Sequence, residues 1–359
     1  MSTALADVIK DEIARSGSMD IGRFMMLALG HREYGYYMTR DPFGKAGDFV
    51  TAPEISQVFG ELLGLWLADI WMQMGAPAKV FLVECGPGRG TLMADIMRVV
   101  KGVEGFYEAL HVYLIEMSPV LKQKQQEVLK EHGRIKWCKD IESVPVDAPV
   151  LLIGNEFLDA LPVRQAMRSD KGWQERVVAC KDGAFCFDFK KADEDLHYFL
   201  PSKTQSYAIY ELSPARLSFI ERCCEVLKRA RGAALFIDYG YIKRAAGDTL
   251  QALYRHEPSD VFTRVGQSDL TAHVDFEVLC DGARAHEGRL FGLETQGVFL
   301  QRLGILYRAQ ALMELAQGDE VKAKNIESCV HRLVAPSEMG DLFKVMGFGY
   351  GYDFKASGF

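Results

Sequence analysis

The segment VFLVECGPGRGT occupies residues Val80–Thr91 and joins an apolar run to a glycine-dense turn. The apolar run is rich in β-branched and aromatic residues, which predicts a buried strand, and residues 92–97 after the turn have helical spacing. Glycine has no Cβ, so such a turn can bend tightly and lie directly against a ligand. The segment therefore predicts a strand–turn–helix unit whose turn binds a nucleotide-like cofactor.

The glycine spacing narrows the choice of cofactor. Gly86, Gly88 and Gly90 depart from the G-x-G-x-x-G pattern of dinucleotide-binding loops, because position 91 is threonine, and the lysine of a P-loop is missing. Glu84 precedes the first glycine by two residues, and its charge suits a cationic ligand better than a pyrophosphate. S-adenosylmethionine carries a sulfonium and an ammonium but no phosphate, so it is the better electrostatic match.

A second acidic residue, Glu116, ends the next apolar run and lies 26 residues after Gly90. An acid at the end of the second strand commonly binds the ribose hydroxyls of an adenosine group. NAD-dependent enzymes bind ribose with an acid at the same position, so Glu116 supports an adenosine cofactor but does not distinguish NAD from S-adenosylmethionine. An NAD-dependent oxidoreductase remains an alternative function, and an ordinary strand-to-helix turn remains an alternative interpretation of the glycines.

Strands and helices alternate along residues 80–153, which predicts a mostly parallel sheet covered on both faces by helices. Two short helices are expected within residues 2–30, a long helix over residues 54–74, and a β-hairpin whose turn is Lys181–Gly183. We therefore expect an α/β fold. Its predicted parts are an N-terminal helical segment (1–75) packed on a core (76–359), with a β-rich insertion at 162–212 and a mostly helical insertion at 240–340.

Six segments, in this order along the chain, resemble the MidA-type methyltransferases. They are His31–Tyr37, Gly47–Glu61, Glu84–Asp95, Gly154–Pro162, Phe236–Tyr241 and Asp269–Phe276. The resemblance covers nearly the whole chain, and each segment is more specific than a glycine pattern alone. It implies the class I, Rossmann-like methyltransferase fold with S-adenosyl-L-methionine as cofactor and S-adenosyl-L-homocysteine as product.

The motif and the resemblance together define a set of expected cofactor-binding residues. By resemblance, Gly47-Asp48-Phe49 borders the cleft for cofactor or substrate, while Thr51 is expected to cap the helix that follows. The expected cofactor-binding residues are Glu84, Gly86, Pro87, Gly88, Gly90, Thr91, Glu116, Asp48 and Phe49.

The MidA-type family includes a mitochondrial protein arginine methyltransferase that supports assembly of respiratory complex I. The resemblance thus implies symmetric dimethylation of an arginine ω-nitrogen, as in type II protein arginine methyltransferases. The implied partner is the complex I subunit that carries part of the quinone site. A small-molecule methyltransferase and a cofactor-binding assembly chaperone without essential catalysis remain alternatives, and the oligomeric state is left open.

Catalytic residues are expected at the end of the predicted fourth strand. A guanidinium stays protonated at neutral pH, so an arginine methyltransferase needs carboxylates that grip it. We expect Glu156 to be that clamp, with Asn155 and Asp159 assisting, although Asp159 has an alternative role as a helix cap. His273 is a candidate proton acceptor, because the ordinary pKa of histidine suits that role.

The remaining patterns exclude several other classes of protein. Asp269, His273 and Asp275 match no compact metal motif, so no metal is expected, and Asp275 is predicted to cap a helix at Phe276. The net charge of −7 argues against nucleic-acid binding. The most apolar helix candidate, at residues 62–71, is too short to span a membrane.

The cysteines and the N-terminal sequence indicate the cellular compartment in which the protein is expected. The eight cysteines include no C-x-x-C pair, which favours reduced thiols in a cytoplasmic compartment. Residues 1–13 resemble neither a signal peptide nor an arginine-rich transit peptide. We therefore expect a cytoplasmic bacterial protein, or one in the mitochondrial matrix from which a targeting segment has been removed.

Overall fold

The computed structural model describes residues 3–42, 44, 50–201, 204–316 and 318–359. The α-helices are α1 Ala4–Ser16, α2 Ile21–Gly30, α3 Tyr36–Thr39, α4 Ala52–Ile55, α5 Gln57–Gln73, α6 Thr91–Val100, α7 Phe106–Ala109, α8 Pro119–Val128, α9 Pro214–Ala230, α10 Phe276–Ala285, α11 Gln296–Arg302, α12 Ile305–Leu315 and α13 Glu320–Val334. The strands are β1 Met19–Asp20, β2 Val80–Cys85, β3 Leu110–Ile115, β4 Ile135–Cys138, β5 Val150–Asn155, β6 Arg164–Ser169, β7 Gly172–Lys181, β8 Ala184–Lys191, β9 Ile209–Leu212, β10 Gly232–Tyr241, β11 Gln251–Tyr254, β12 Glu257–Ser259, β13 Asp269–Thr271, β14 Val274–Asp275, β15 Arg289–Thr295 and β16 Phe343–Tyr350.

The chain forms two compact units, each assembled from segments that are distant in sequence. Unit 1 consists of Met1–Phe49, Leu158–Phe219 and Arg244–His273, and unit 2 of the remaining segments, Val50–Phe157, Ile220–Lys243 and Val274–Phe359. These boundaries differ from the predicted division at residue 75. Helix α5 belongs to unit 2 because its apolar face is part of the core of that unit.

Unit 2 contains an eight-stranded sheet in the order β15-β16-β10-β5-β2-β3-β4, with β14 paired to the end of β10. The five strands from β10 to β4 are parallel, whereas β16 runs antiparallel to both of its neighbours. Strands β2 and β5 are buried along their whole length, as expected for a parallel sheet covered on both faces. The predicted α/β fold with a mostly parallel sheet is confirmed.

The prediction of one long helix over residues 54–74 is wrong at its start, because the chain forms two helices, α4 and α5, that are separated at Ser56. Ser56 is extended, with φ −153° and ψ 130°, and its hydroxyl accepts a hydrogen bond from the amide of Val58. A serine side chain that bonds nearby backbone competes with continuation of a helix. Thr51 occupies the N-cap position of α4 but makes no side-chain capping bond, so the predicted cap is also wrong.

Unit 1 contains a five-stranded antiparallel sheet in which β7 pairs with β1, β6 and β8, and β6 pairs with β9. The predicted hairpin lies between β7 and β8, and its turn residues Asp182 and Gly183 both have positive φ, 51° and 77°. That conformation is typical of a two-residue turn with the twist of the flanking strands. The core of this unit includes Ile9, Phe24 and Val178.

Five strands, β11 to β15, lie within the stretch predicted to be mostly helical, residues 240–340. Strands β12, β11 and β13 form a small antiparallel sheet in unit 1. Each has only three or four residues, which is too short for an alternating pattern to be distinguished from chance. Strands β11 and β12 pair as a tight hairpin through Tyr254 and Glu257, and β13 pairs with the other edge of β11.

The lengths of the helices and the state of the cysteines are two further features of the described residues. None of the helices found there is both long enough and apolar enough to cross a membrane. All eight cysteines carry free thiols, and four of them are buried.

The N-cap of α2 generates a stability prediction. One Asp20 carboxylate oxygen accepts a hydrogen bond of 2.8 Å from the amide of Arg23, which satisfies one of the unpaired donors of the first helical turn. We expect Asp20→Ala to lower the free energy of unfolding by about 1 kcal/mol. Asp20→Asn is the matched control and should stay close to the wild type, because asparagine caps equally well. Equal stability of the two variants in thermal denaturation would contradict the role of the cap.

Candidate active site

The candidate site lies in unit 2 where the parallel strands β2, β3 and β5 end. Cys85 of β2 pairs with Ile115 of β3 and with Gly154 of β5, so the three carboxyl ends lie side by side. The chain leaves β2 toward β3 on one side and returns through β5 on the other. Such a reversal of strand order creates the crevice in which open α/β sheets bind ligands.

The glycine turn connects β2 to α6 in a conformation that requires small residues. Gly86, Gly88 and Gly90 have φ of 66°, 53° and 87°, and the amide of Gly90 donates to the carbonyl of Pro87 at 2.7 Å. A Cβ on Gly86 would lie 2.7 Å from Cδ2 of Phe157. The turn therefore runs close to the chain that leaves β5, and a side chain at Gly86 would disturb that approach.

Glu84 is buried at the end of β2, with only 2% of its surface exposed. Its Oε2 atom has no hydrogen-bond partner among the described residues. Burial, together with the nearby Glu116 carboxylate, raises the pKa of Glu84 to about 8. A buried carboxyl group with an unused acceptor is costly unless a ligand completes its contacts, and a cationic ligand would do so best.

Glu116 follows β3 and is held by the start of the next helix. Its Oε1 accepts from the amide of Ser118 at 2.7 Å and its Oε2 from the amide group of Gln125 at 3.0 Å. Burial raises the pKa of Glu116, and these hydrogen bonds oppose the rise. The carboxylate is thus placed beside the glycine turn in one orientation, as expected for a residue that binds ribose hydroxyls.

Thr91 begins α6, and its hydroxyl donates to Glu54 Oε1 at 2.6 Å. The other oxygen of Glu54 lies 4.0 Å from Nη1 of Arg89. Glu54 belongs to the short helix α4, so this helix is bonded directly to the glycine turn. No local sequence pattern predicts this role of Glu54 in the site.

Asn155 and Glu156 lie at the end of β5. Glu156 has φ 51°, an uncommon backbone conformation for a residue with a side chain, and such outliers cluster at functional sites. Its Oε1 accepts from the amide of Ala52 at 2.9 Å and from Nδ2 of Asn155 at 3.0 Å. Asn155 is buried, and its own Oδ1 has no hydrogen-bond partner within the described chain.

Asp238 supports this turn from the neighbouring strand. It is fully buried near the end of β10, and its Oδ2 accepts from the amide of Phe157 at 3.0 Å. Its Oδ1 accepts from the amide of Tyr239 at 2.9 Å. Asp238 therefore holds the backbone that follows Glu156, a contact that no local sequence pattern predicts.

Two of the predicted catalytic residues, Asp159 and His273, belong to unit 1. Arg216, buried in that unit, donates to the carbonyl oxygen of Asp159 at 3.1 Å and to that of His273 at 2.6 Å. Arg216 thus brings the backbones of the two residues together. Nearby, the hydroxyl of Tyr37 donates to Asp269 at 2.9 Å, and burial raises the pKa of Tyr37 well above its usual value.

The other sequence predictions have mixed outcomes. Asp48 and Phe49 lie outside the described residues. Asp275 caps α10 as predicted, since one of its oxygens accepts from the amide of Val278. Within the described part of the chain, no group of three or more histidine, cysteine, aspartate or glutamate residues is arranged to hold a metal ion.

The residues at the sheet edge fit S-adenosylmethionine. Glu84 Oε2 and Asn155 Oδ1 are buried acceptors without a partner in the described structure, so a bound molecule there is expected to bring donors or positive charge. The sulfonium and ammonium of S-adenosylmethionine meet that requirement, and Glu116 suits its ribose. A pyrophosphate would instead meet two carboxyl groups. The fold and the site together define a methyltransferase of the S-adenosylmethionine-dependent class.

Comparisons with known proteins agree with this class. The family described as "Putative S-adenosyl-L-methionine-dependent methyltransferase" matches residues 62–294. The protein arginine methyltransferase NDUFAF7 homolog, mitochondrial, of Drosophila melanogaster is 33% identical over 96% of this chain and 84% of that protein. Its human counterpart is 31% identical over 92% and 80%. The chain belongs to this family and is an S-adenosylmethionine-dependent methyltransferase.

A solved structure supports the fold and the cofactor. A crystal structure from Burkholderia thailandensis, bound to S-adenosyl-homocysteine, has a TM-score of 0.87 and 29% identity, covering 99% of this chain and 95% of that one. A native structure from the same organism has a TM-score of 0.86 at 30% identity. The curated relatives are named as mitochondrial, so these comparisons lend no support to a cytoplasmic location.

The glycine turn generates the first prediction of this site. We expect Gly86→Val or Gly88→Val to lower the affinity for S-adenosylhomocysteine by about 100-fold or more, because both glycines have positive φ and Gly86 approaches Phe157 closely. Gly102→Val, at an exposed glycine after α6, is the control and should bind normally. Unchanged calorimetric affinity in both loop variants would remove the turn from the cofactor site.

Glu84 generates a prediction about pH. Because the pKa of Glu84 is raised to about 8, the carboxyl group of the ligand-free protein is mostly protonated at pH 7. A cation placed beside it favours the charged form, so binding of S-adenosylmethionine should release a proton at pH 7 and become tighter as the pH rises toward 8. In the ligand-free protein, the same group should lower stability as the pH rises from about 4.5 to 8.

Calorimetry at pH 7 in two buffers with different ionisation enthalpies measures this release. The wild type should show different apparent binding enthalpies in the two buffers, and Glu84→Gln should show much less difference. S-adenosylhomocysteine lacks the sulfonium charge and should release fewer protons than S-adenosylmethionine. Identical enthalpies for the wild type in both buffers would show that Glu84 does not titrate on binding.

Proposed function

We propose that this methyltransferase modifies an arginine ω-nitrogen of a protein, by symmetric dimethylation. The support comes from the relatives, which are named protein arginine methyltransferases and align along nearly the whole chain. We further propose that the acceptor protein is a subunit of respiratory complex I that carries part of the quinone site, and that the methylation supports assembly of the complex.

The observation that carries the proposal is the placement of Glu156. Its carboxylate is held through Oε1 by the amide of Ala52 and by Asn155, directly after the strand that neighbours the glycine turn. The left-handed backbone at Glu156 costs free energy that a purely structural carboxylate does not require. A carboxylate oriented in this way suits a planar cation such as a guanidinium.

The chemistry explains why a carboxylate is needed. Neutral pH lies about 7 units below the pKa of a guanidinium, so removing its proton before the reaction would cost ~9 kcal/mol. When bound, S-adenosylmethionine would supply a sulfonium methyl group whose carbon a nitrogen lone pair can attack, with the thioether sulfur of S-adenosylhomocysteine as the leaving group. Glu156 holds the guanidinium and draws its positive charge toward the nitrogens that it binds, which leaves electron density on the remaining ω-nitrogen. That nitrogen loses its proton as the new bond to carbon forms.

We assign supporting roles to three further residues. Asn155 orients the Glu156 carboxylate through its Nδ2 and offers Oδ1 as a buried acceptor. Asp159 follows Glu156 by three residues in the sequence and is proposed to assist in binding the guanidinium. His273 is proposed as the acceptor of the released proton, a role for which histidine is the side chain with the most suitable ordinary pKa.

The same proposal concerns location. An enzyme that modifies a complex I subunit during assembly works in the compartment where that subunit is assembled. That compartment is the matrix in mitochondria and the cytoplasm in bacteria, and the mitochondrial names of the relatives favour the first of these for an enzyme of this kind.

Substitution of Glu156 tests the proposed chemistry. We expect Glu156→Gln to keep the affinity for S-adenosylhomocysteine within about threefold while methyl transfer falls by about 100-fold or more, since the neutral amide no longer grips the guanidinium. The assay is mass spectrometry of complex I subunits from cells that lack the gene and are complemented with each variant. The wild type should restore a dimethylarginine that Glu156→Gln does not.

Asp95→Asn is the matched control for this substitution. Asp95 is a partly buried carboxylate on α6 that pairs with Arg98, and its loss should leave the modification intact. Full methylation with Glu156→Gln would exclude Glu156 from the chemistry. If no dimethylarginine depends on the gene in any complex I subunit, the proposed substrate is wrong.

A further inference from the structure

Gln125 is a fully buried residue of α8 whose amide group contacts both halves of the cofactor site. Its Nε2 donates to the carbonyl of Gly88 in the glycine turn at 2.7 Å and to Oε2 of Glu116 at 3.0 Å. Its Oε1 accepts from the indole Nε1 of Trp137 on β4 at 2.8 Å. Both amide protons of Gln125 therefore form hydrogen bonds at the sheet edge.

The chemistry of the three partners determines the orientation of this amide. An indole N–H can only donate and a backbone carbonyl can only accept, so Oε1 must face Trp137 and Nε2 must face Gly88. Among uncharged side chains of this length, only glutamine offers two donors and one acceptor on a single planar group. An apolar side chain of the same size would remove the hydrogen-bond partner of three partly buried polar atoms.

Packing adds a second contact between Gln125 and the turn. A Cβ on Gly90 would lie 3.5 Å from both Cα and Cγ of Gln125, so the turn lies directly against this residue. Gln125 thus touches the glycine turn at Gly88 and Gly90 and also holds the acid that follows β3.

We propose that Gln125 is a positioning residue for S-adenosylmethionine, which sets the spacing between the glycine turn and the Glu116 carboxylate. The proposal rests on the assigned cofactor-binding roles of Gly88 and Glu116. Gln125 does not act on the reacting atoms. It acts through the two groups to which it donates, and a ligand that spans both of them binds more tightly because their separation is already correct.

Binding of S-adenosylhomocysteine tests the proposal without any acceptor protein. We expect Gln125→Met to weaken binding about 10- to 100-fold, because Gly88 and Glu116 lose a buried donor and move apart. Gln296→Met is the matched control, since Gln296 is also fully buried in unit 2 and donates to a backbone carbonyl, that of Leu333. It should lose thermal stability to a similar extent and keep the wild-type affinity.

The pH dependence of a second variant separates positioning from stability. In Gln125→Glu, a protonated carboxyl group can still donate one hydrogen bond to Gly88 or Glu116, whereas the ionised group repels both. Affinity for S-adenosylhomocysteine should therefore fall as the pH rises from 5 to 8 in this variant. Glu84 and Glu116 face the same region, and their ionisation should make the wild-type affinity constant or rising over that range.

The outcomes are distinct. Weaker binding in Gln125→Met but not in Gln296→Met, with the reversed pH slope in Gln125→Glu, supports the positioning role. Unchanged affinity in Gln125→Met, or equal losses in both methionine variants, overturns it. The test concerns only cofactor binding, so its failure leaves the proposed arginine chemistry standing, and loss of methylation in Glu156→Gln leaves this proposal untouched.

Discussion

The parallel alignment of β2, β3 and β5 is the constraint on which the site depends, because it brings three separate chain turns to one sheet edge. Two carboxyl groups, Glu84 and Glu116, are placed there in partly or fully buried positions. Burial disfavours their charged forms, so the Glu84 carboxyl of the ligand-free protein is mostly protonated at pH 7. A cationic cofactor favours the charged form of these groups, whereas a phosphorylated one would oppose it.

The short helix α4 links the two sides of this edge. Glu54 accepts from Thr91 at the start of α6, and the first amide of α4, that of Ala52, donates to Glu156 after β5. A helix of one turn has little stability of its own, so these bonds to acidic side chains help to hold it. The glycine turn and the proposed guanidinium clamp are thereby coupled through a single small element, and Asp238 supports the clamp from the next strand.

Much of the site was predictable because its residues follow directly from local pattern. Glu84, the three glycines and Glu116 each occupy a defined position after an apolar run, and parallel strands of known order bring such positions together. The interruption at Ser56 and the short strands β11–β13 were not predictable. A serine whose hydroxyl accepts from the amide two residues further on and strands of three or four residues leave no periodic signal.

The sequence by itself determined the fold class, the cofactor class and the acids nearest the glycine turn, since these depend on the order of apolar runs, glycines and acidic residues along neighbouring strands and helices. Only the tertiary structure decided the partners of those acids. Gln125, Glu54 and Asp238 lie 37, 37 and 81 residues from the positions they contact at Gly88, Thr91 and Phe157. The reason is physical: the position of an isolated buried glutamine or carboxylate carries no periodicity, and its role arises only from the unpaired donors and acceptors that folding brings beside it.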